Sequence, residues 1–295
     1  MILSSWHQYV KRMLPVSQRV SRRPRSARLH CEQLDLRLQP SAFVFSTGIP
    51  DGRIATATEP ANAHNSHVEF ESADDFVLGT ETKISHASFT GLLSGGATAR
   101  NVKNVVVEIY RVFPNDSDVG RTSGPPVFST PHVPTRVNSP SDVAFKSRDS
   151  GRGQLSFRTR VLASSFTALA SVASADKISV RSGGNGSVTG KEVEFNVSFG
   201  KHALDLPAGH YFFVPQVGLS SKAPARAHFL WLSAPKPIVP PGTPFAAGNT
   251  DLQSWMRDDP PLDPDWLRIG ADIIGGTTFN ASFQVSGQIV NPRAH

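Results

Sequence analysis

Residues 192–199 read Glu-Val-Glu-Phe-Asn-Val-Ser-Phe, so Val193, Phe195, Val197 and Phe199 fall on one face of an extended chain and Glu192, Glu194, Asn196 and Ser198 on the other. A period of two belongs to a half-buried strand. It excludes a helix, whose apolar positions recur every three to four residues. The same alternation or a strand-forming apolar run returns at 68–71, 75–78, 83–92, 104–113, 154–162, 209–219, 227–233, 266–269 and 279–289. Gly and Pro number 23 each and interrupt the chain too often for a coiled coil or a long bundle. No run of about 18 apolar residues exists to cross a bilayer as a helix.

The run 209–219 is nearly continuous in apolar residues until Pro215, which cannot donate to a ladder and so predicts a sheet edge or a bulge. Two segments carry helical spacing: 164–173, through Phe166, Leu169 and Val172, and 250–257, with Asp251 near its start. Residues 115–150 and 233–265 are long, irregular and rich in Pro, Ser and Asp. Strands that pair across such gaps imply Greek-key connections. The predicted fold is therefore all-β: one antiparallel β-sandwich of jelly-roll or Greek-key type over residues 41–290, with roughly ten strands and one or two short helices. A basic, disordered segment (1–40) precedes it and a short tail (291–295) follows.

Charge separates that leading segment from the rest. Residues 1–40 hold eight basic and two acidic side chains and carry the whole net charge of +6, while the remaining 22 basic and 22 acidic groups cancel. The body thus has no electrostatic reason to seek nucleic acid. Its leading segment lacks the apolar core of a secretory signal; an organellar transit peptide, a disordered basic tail and a start placed too far upstream stay open. Cys31 is the one cysteine, so the body holds no disulfide and no thiolate metal site.

Ala73-Asp74-Asp75-Phe76 opens one strand, a following apolar strand carries Tyr110, and Leu206-Pro207-Ala208-Gly209-His210-Tyr211 opens a late strand. Together these resemble a set of secreted bacterial β-sandwich proteins that share an "ADDF" strand and a later "L-x-AG-x-Y" strand, some ending in a surface-sorting tail. The resemblance covers roughly residues 42–290 and implies an extracellular or cell-surface sandwich. This chain departs from it in having no apolar C-terminal anchor and no evident export signal.

Motifs for common chemistries fail on spacing. Gly183 to Lys191 looks like a phosphate loop, but a Gly is missing at Asn185, and Glu192 stands where a Ser or Thr should hold magnesium. Neither Gly-x-Ser-x-Gly nor His-Glu-x-x-His occurs. Two carboxylate pairs, Glu69 with Glu71 and Glu192 with Glu194, each share a strand face at about 6.6 Å, a spacing that can flank a glycosidic bond. Asp74 shares the inward face of Phe76 and Leu78 and Asp75 the opposite one; an inward carboxylate needs a donor or a cation, and calcium is the cation expected at Asp74 and Asp75. Asp116 and Asp118 form a second calcium candidate. Trp231, Trp255 and Trp266 lie among acidic residues that include Asp258 and Asp259, a mixture of flat aromatic faces and acceptors suited to sugar. Trp255 is the one expected to be exposed. These readings predict a non-catalytic extracellular or cell-surface protein with a binding or structural role, directed at polysaccharide or a surface matrix. The alternative is a carbohydrate-active enzyme on the same scaffold.

Overall fold

The computed structural model describes residues 42–118, 120, 133–173, 177–238, 250–259, 262, 264–276 and 278–290. The expected leader and tail lie outside them. Among the described residues the chain is an all-β sandwich of two open sheets. The first contains β1 (Ala42–Ser46), β2 (Ile54–Ala57), β4 (Thr82–Ser94), β7 (Ser156–Ala168), β8 (Ala170–Val172), β9 (Val188–Ser198), β10 (Leu204–Leu206), β12 (Phe229–Ala234), β15 (Asn280–Ala281) and β16 (Phe283–Ile289). The second contains β3 (Phe70–Leu78), β5 (Val102–Arg111), β6 (Lys146–Asp149), β11 (Gly209–Leu219), β13 (Trp255–Asp258) and β14 (Leu267–Arg268), in the order β14-β13-β3-β11-β5-β6. Pairing is antiparallel except between β2 and β8.

β4 is the spine of the first sheet. One edge carries β9 and then β10; the other carries β16 and then β12. β9 turns Val193, Phe195 and Val197 inward, and Phe199 follows them into the core, as its alternation requires. They meet Phe76, Tyr211 and Phe213 from the second sheet and Phe45, Phe89, Phe229, Trp231 and Phe283 from the first. The rings interlock: Phe89 stacks on Phe195 at 5.0 Å and Phe213 on Phe283 at 5.0 Å. Such ring pairs add to plain area burial.

Pro215 lies inside the second sheet, where β11 runs between β3 and β5. The β3 ladder stops at Phe213 opposite Asp74. Beyond it, Val217 N–H donates to the Thr58 carbonyl at 3.0 Å and the Thr58 hydroxyl donates to the Pro215 carbonyl at 2.5 Å. The missing N–H of Pro215 thus falls on an edge that no strand claims, so the sheet loses no bond.

Neither predicted helix forms. Residues 164–168 finish β7, paired with β9 from Phe166 opposite Gly190 to Ala168 opposite Val188, and β8 follows. Leu169, meant for the helix's apolar face, is 74% exposed. Residues 255–258 form β13 against β3. In both cases a ladder with a partner distant in sequence outweighs weak local spacing. A single turn of π-helix, Ile269–Ile274, packs Ile269 and Ile273 into a second apolar cluster with Ile54, Leu230, Leu232 and Met256.

Candidate functional site

A sandwich normally leaves the outer face of each sheet to water, and β9 does so through Glu192, Glu194 and Asn196. The outer face of the second sheet is different. Tyr110 of β5, Phe212 and Val214 of β11, Ala73 of β3 and Trp255 of β13 are buried there in a third cluster with Leu252 and Trp266. Two irregular segments cover it and are tied across one another, since the Trp266 indole donates to the Ser141 carbonyl at 3.0 Å.

This cover decides the fate of the three tryptophans. Trp231, Trp255 and Trp266 are each 1% exposed, which corrects the expectation that Trp255 offers a free face. Trp231 sits between the sheets, its indole donating to the Ser282 carbonyl at 2.9 Å. Asp259 is exposed and Asp258 is buried.

Charged groups are sealed at both ends of the covered face. At one end Arg257 bonds Glu71, donates to the Tyr110 hydroxyl at 2.9 Å and to the carbonyls of Asp142 (2.9 Å) and Pro264 (3.1 Å), and stacks at 4.5 Å on Trp266. Tyr110 donates to Glu71 at 2.6 Å and lies 3.0 Å from Glu108. Burial, then repulsion from Glu71, pushes Glu108 up to about 8, so it keeps its proton at neutral pH. Beside this network Glu69, Glu71, Arg257, Asp258 and Asp259 line a cavity of about 100 Å³. Burial raises Glu69 and carries Asp258 to about 7.

At the other end lie Asp74 and Asp75, each almost wholly buried. Asp74 points inward as its parity requires and accepts from the Ser254 hydroxyl and the Ala281 N–H, both at 2.9 Å. Asp75 faces outward, under the cover, and accepts from His210 at 2.5 Å and from Leu252 N–H at 3.2 Å. Burial raises both carboxylates, with the Asp75 charge adding to the effect on Asp74. Protein donors thus reach both Asp74 oxygens and Asp75 Oδ2, while Asp75 Oδ1 meets none. Among the described residues no three carboxylates or imidazoles already converge on one metal position.

An open groove of about 770 Å³ runs along the margin of the cover, lined by Asp116, Ser117, Asp118, Asp142, Phe145 and Pro264 among others. Arg111 clamps Asp116 through two nitrogens and holds its carboxyl below the usual range. Asp118 caps its own turn, accepting from Gly120 N–H at 2.9 Å, and Asp142 accepts from Asp118 N–H at 3.0 Å and pairs with buried Arg136. The Phe145 ring is steadied by Arg111 at 4.6 Å and Lys146 at 5.1 Å. Each carboxylate oxygen has two lone pairs, so these groups can accept further bonds from a ligand.

The two carboxylate pairs part company. Glu194 is held on the solvated face by Arg160 at 3.1 Å and Asn196 at 2.9 Å. Glu69 and Glu71 are brought together with Asp258 and Asp259. Arg257, the centre of that network, was not singled out from sequence, and Tyr110 was noted only as part of its apolar strand. The signal available was parity, which puts Arg257 on the same face as Trp255 two residues earlier. No protein-family model, no curated protein and no solved structure matches the chain.

Proposed function

We propose that the sandwich is a non-catalytic extracellular or cell-surface module that binds polysaccharide in the groove beside Phe145. One observation carries this reading. The groove sets fixed carboxylate acceptors, Asp116, Asp118 and Asp142, around an aromatic ring. Sugar hydroxyls are donors and sugar rings present apolar C–H faces, so acceptors beside a flat ring suit them. Asp116 is held anionic by Arg111, which suits an acceptor rather than a proton-donating acid. The buried tryptophans support the scaffold and do not touch the ligand.

The test is retention of the full-length chain on a panel of insoluble polysaccharides at high salt, which suppresses binding through basic residues 1–40. The supernatant is assayed for released sugar. Retention without release, lost in Asp118→Ala and kept in Trp255→Phe, supports the groove. Release of sugar replaces the reading with a carbohydrate-active enzyme. No retention on any polysaccharide refutes carbohydrate binding and leaves a structural role.

A further inference from the structure

The small acidic cavity beside Arg257 has a feature that ordinary surface acids lack. Asp258 ends β13 opposite Phe70, is 1% exposed, and neither of its carboxylate oxygens meets a donor from another residue. Buried carboxylates are otherwise paired or hydrogen-bonded, and this protein obeys that rule at Asp74 and Glu71. Arg257 does not serve Asp258: its side chain bonds Glu71, Tyr110 and two carbonyls. Glu69 lends one oxygen to the Gln216 amide at 2.7 Å and shares the cavity wall with Asp258 and Asp259. The backbone fixes the wall, since Asp259 N–H donates to the Glu69 carbonyl at 3.2 Å and Leu262 N–H to the Asp258 carbonyl at 3.2 Å.

The donor set facing the cavity is all oxygen and all acidic, apart from Arg257. Hard divalent cations take such ligands; zinc and copper prefer nitrogen or sulfur. A water fills about 30 Å³ of liquid, so a cavity of about 100 Å³ holds an ion and two or three waters. Three carboxylate or imidazole groups do not yet converge on one point among the described residues, so water completes the shell or a side chain rotates inward.

We propose that this cavity binds one divalent metal cation of the calcium class, with Asp258 as direct ligand and Glu69 and Asp259 closing around it. The cation supplies the partner that Asp258 lacks and draws together acids that otherwise repel. It does not depend on the polysaccharide reading, because the groove is lined by other carboxylates.

The experiment uses the full-length chain stripped with chelator and no polysaccharide. Calcium is titrated by calorimetry and terbium by emission excited through tryptophan; Trp255 stands three strand residues, about 10 Å, from Asp258. The expected result is one equivalent bound, with a dissociation constant no weaker than about 1 mM. Asp258→Asn should weaken it more than about 100-fold and Asp259→Asn about tenfold. Asp75→Asn, at the other end of the covered face, should leave it unchanged. Absence of heat and of sensitised emission up to about 10 mM, wild-type affinity in Asp258→Asn, or loss of binding in Asp75→Asn each overturns the proposal. Should Asp258→Asn fail to fold, Glu69→Gln decides: unchanged affinity overturns the proposal and a loss of about tenfold or more supports it.

Discussion

Replacing Arg257 by Met keeps a long side chain over Trp266 but removes four hydrogen bonds at once, to Glu71, Tyr110 and the Asp142 and Pro264 carbonyls. It leaves Glu71, 4% exposed, as a buried carboxylate that still accepts from the Tyr110 hydroxyl. The carbonyls of Asp142 and Pro264 also lose the Arg257 donors. Removing one member of a buried pair costs about 3–5 kcal/mol. The two carbonyl bonds add about 1 kcal/mol each, less whatever water restores at the edge of the cover. The expected loss for Arg257→Met is therefore about 4–6 kcal/mol, of the order of a whole domain's stability. The double variant Arg257→Met, Glu71→Met removes the stranded charge as well and should recover about 2–3 kcal/mol, because an apolar pair of similar volume often equals a buried ion pair. Urea unfolding followed by emission from the buried tryptophans measures both. A single variant within about 1 kcal/mol of wild type, or a double variant that loses the sum of the two single changes, would refute the view that this charge network holds the cover on the sheet.

Other predictions follow from single contacts. A Cβ on Gly91 would overlap the Phe229 ring and the Leu230 carbonyl in the middle of β4, so Gly91→Ala should cost about 2–3 kcal/mol in the same unfolding assay. Asp74 is raised well above the usual carboxylate range, so Asp74→Asn should cost less than about 1 kcal/mol, whereas Asp74→Ala strands the Ala281 N–H, leaves the Ser254 hydroxyl only the Phe279 carbonyl, and should cost about 1–3 kcal/mol. Glu108 titrates near 4.5 when unfolded and about 8 when folded, so between those values the folded state holds the extra proton and stability falls as pH rises. At up to about 1.4 kcal/mol per unit, the urea midpoint should drop from pH 5 to pH 8, and Glu108→Gln should flatten the slope; an unaltered slope would assign it to Glu69, Asp74, Asp75 and Asp258.

Local periodicity made the half-buried strands legible. β9 has one face on the core and one in water, and its sequence says so residue by residue. The inward direction of Asp74 followed from the parity of Phe76 and Leu78, and the structure places it there. What stayed hidden depends on neighbours far away in sequence. Asp75 was assigned correctly to the outer face, but its burial comes from Leu252, 177 residues later. Trp255 reads as exposed beside Arg257, Asp258 and Asp259 until β13 is laid against β3 with Arg257 opposite Glu71. Strands of two to four residues such as β8, β14 and β15 carry too little pattern to detect, and exist because longer strands offer them a ladder.

The third layer explains why the acidic residues of this protein group as they do. β9 alternates because one face meets water, whereas β3 and most of β11 are buried on both faces. For β11 that double burial shows in the apolar run from Tyr211 to Val214. For β3 it does not, because Glu71, Asp74 and Asp75 stand where apolar residues would be expected. A strand with three acids can be buried twice only if the covering segments bring donors with them. They do so through Arg257, Ser254 and the Leu252 N–H, joined by Tyr110 of β5, His210 of β11 and the Ala281 N–H. At Asp258, where the cover ends, the supply of donors runs out while burial does not. Arg257, the adjoining residue, is bonded to the Asp142 and Pro264 backbone that lines the open groove. The cavity at Asp258 and the open groove thus arise from one structural decision, the covering of a charged strand.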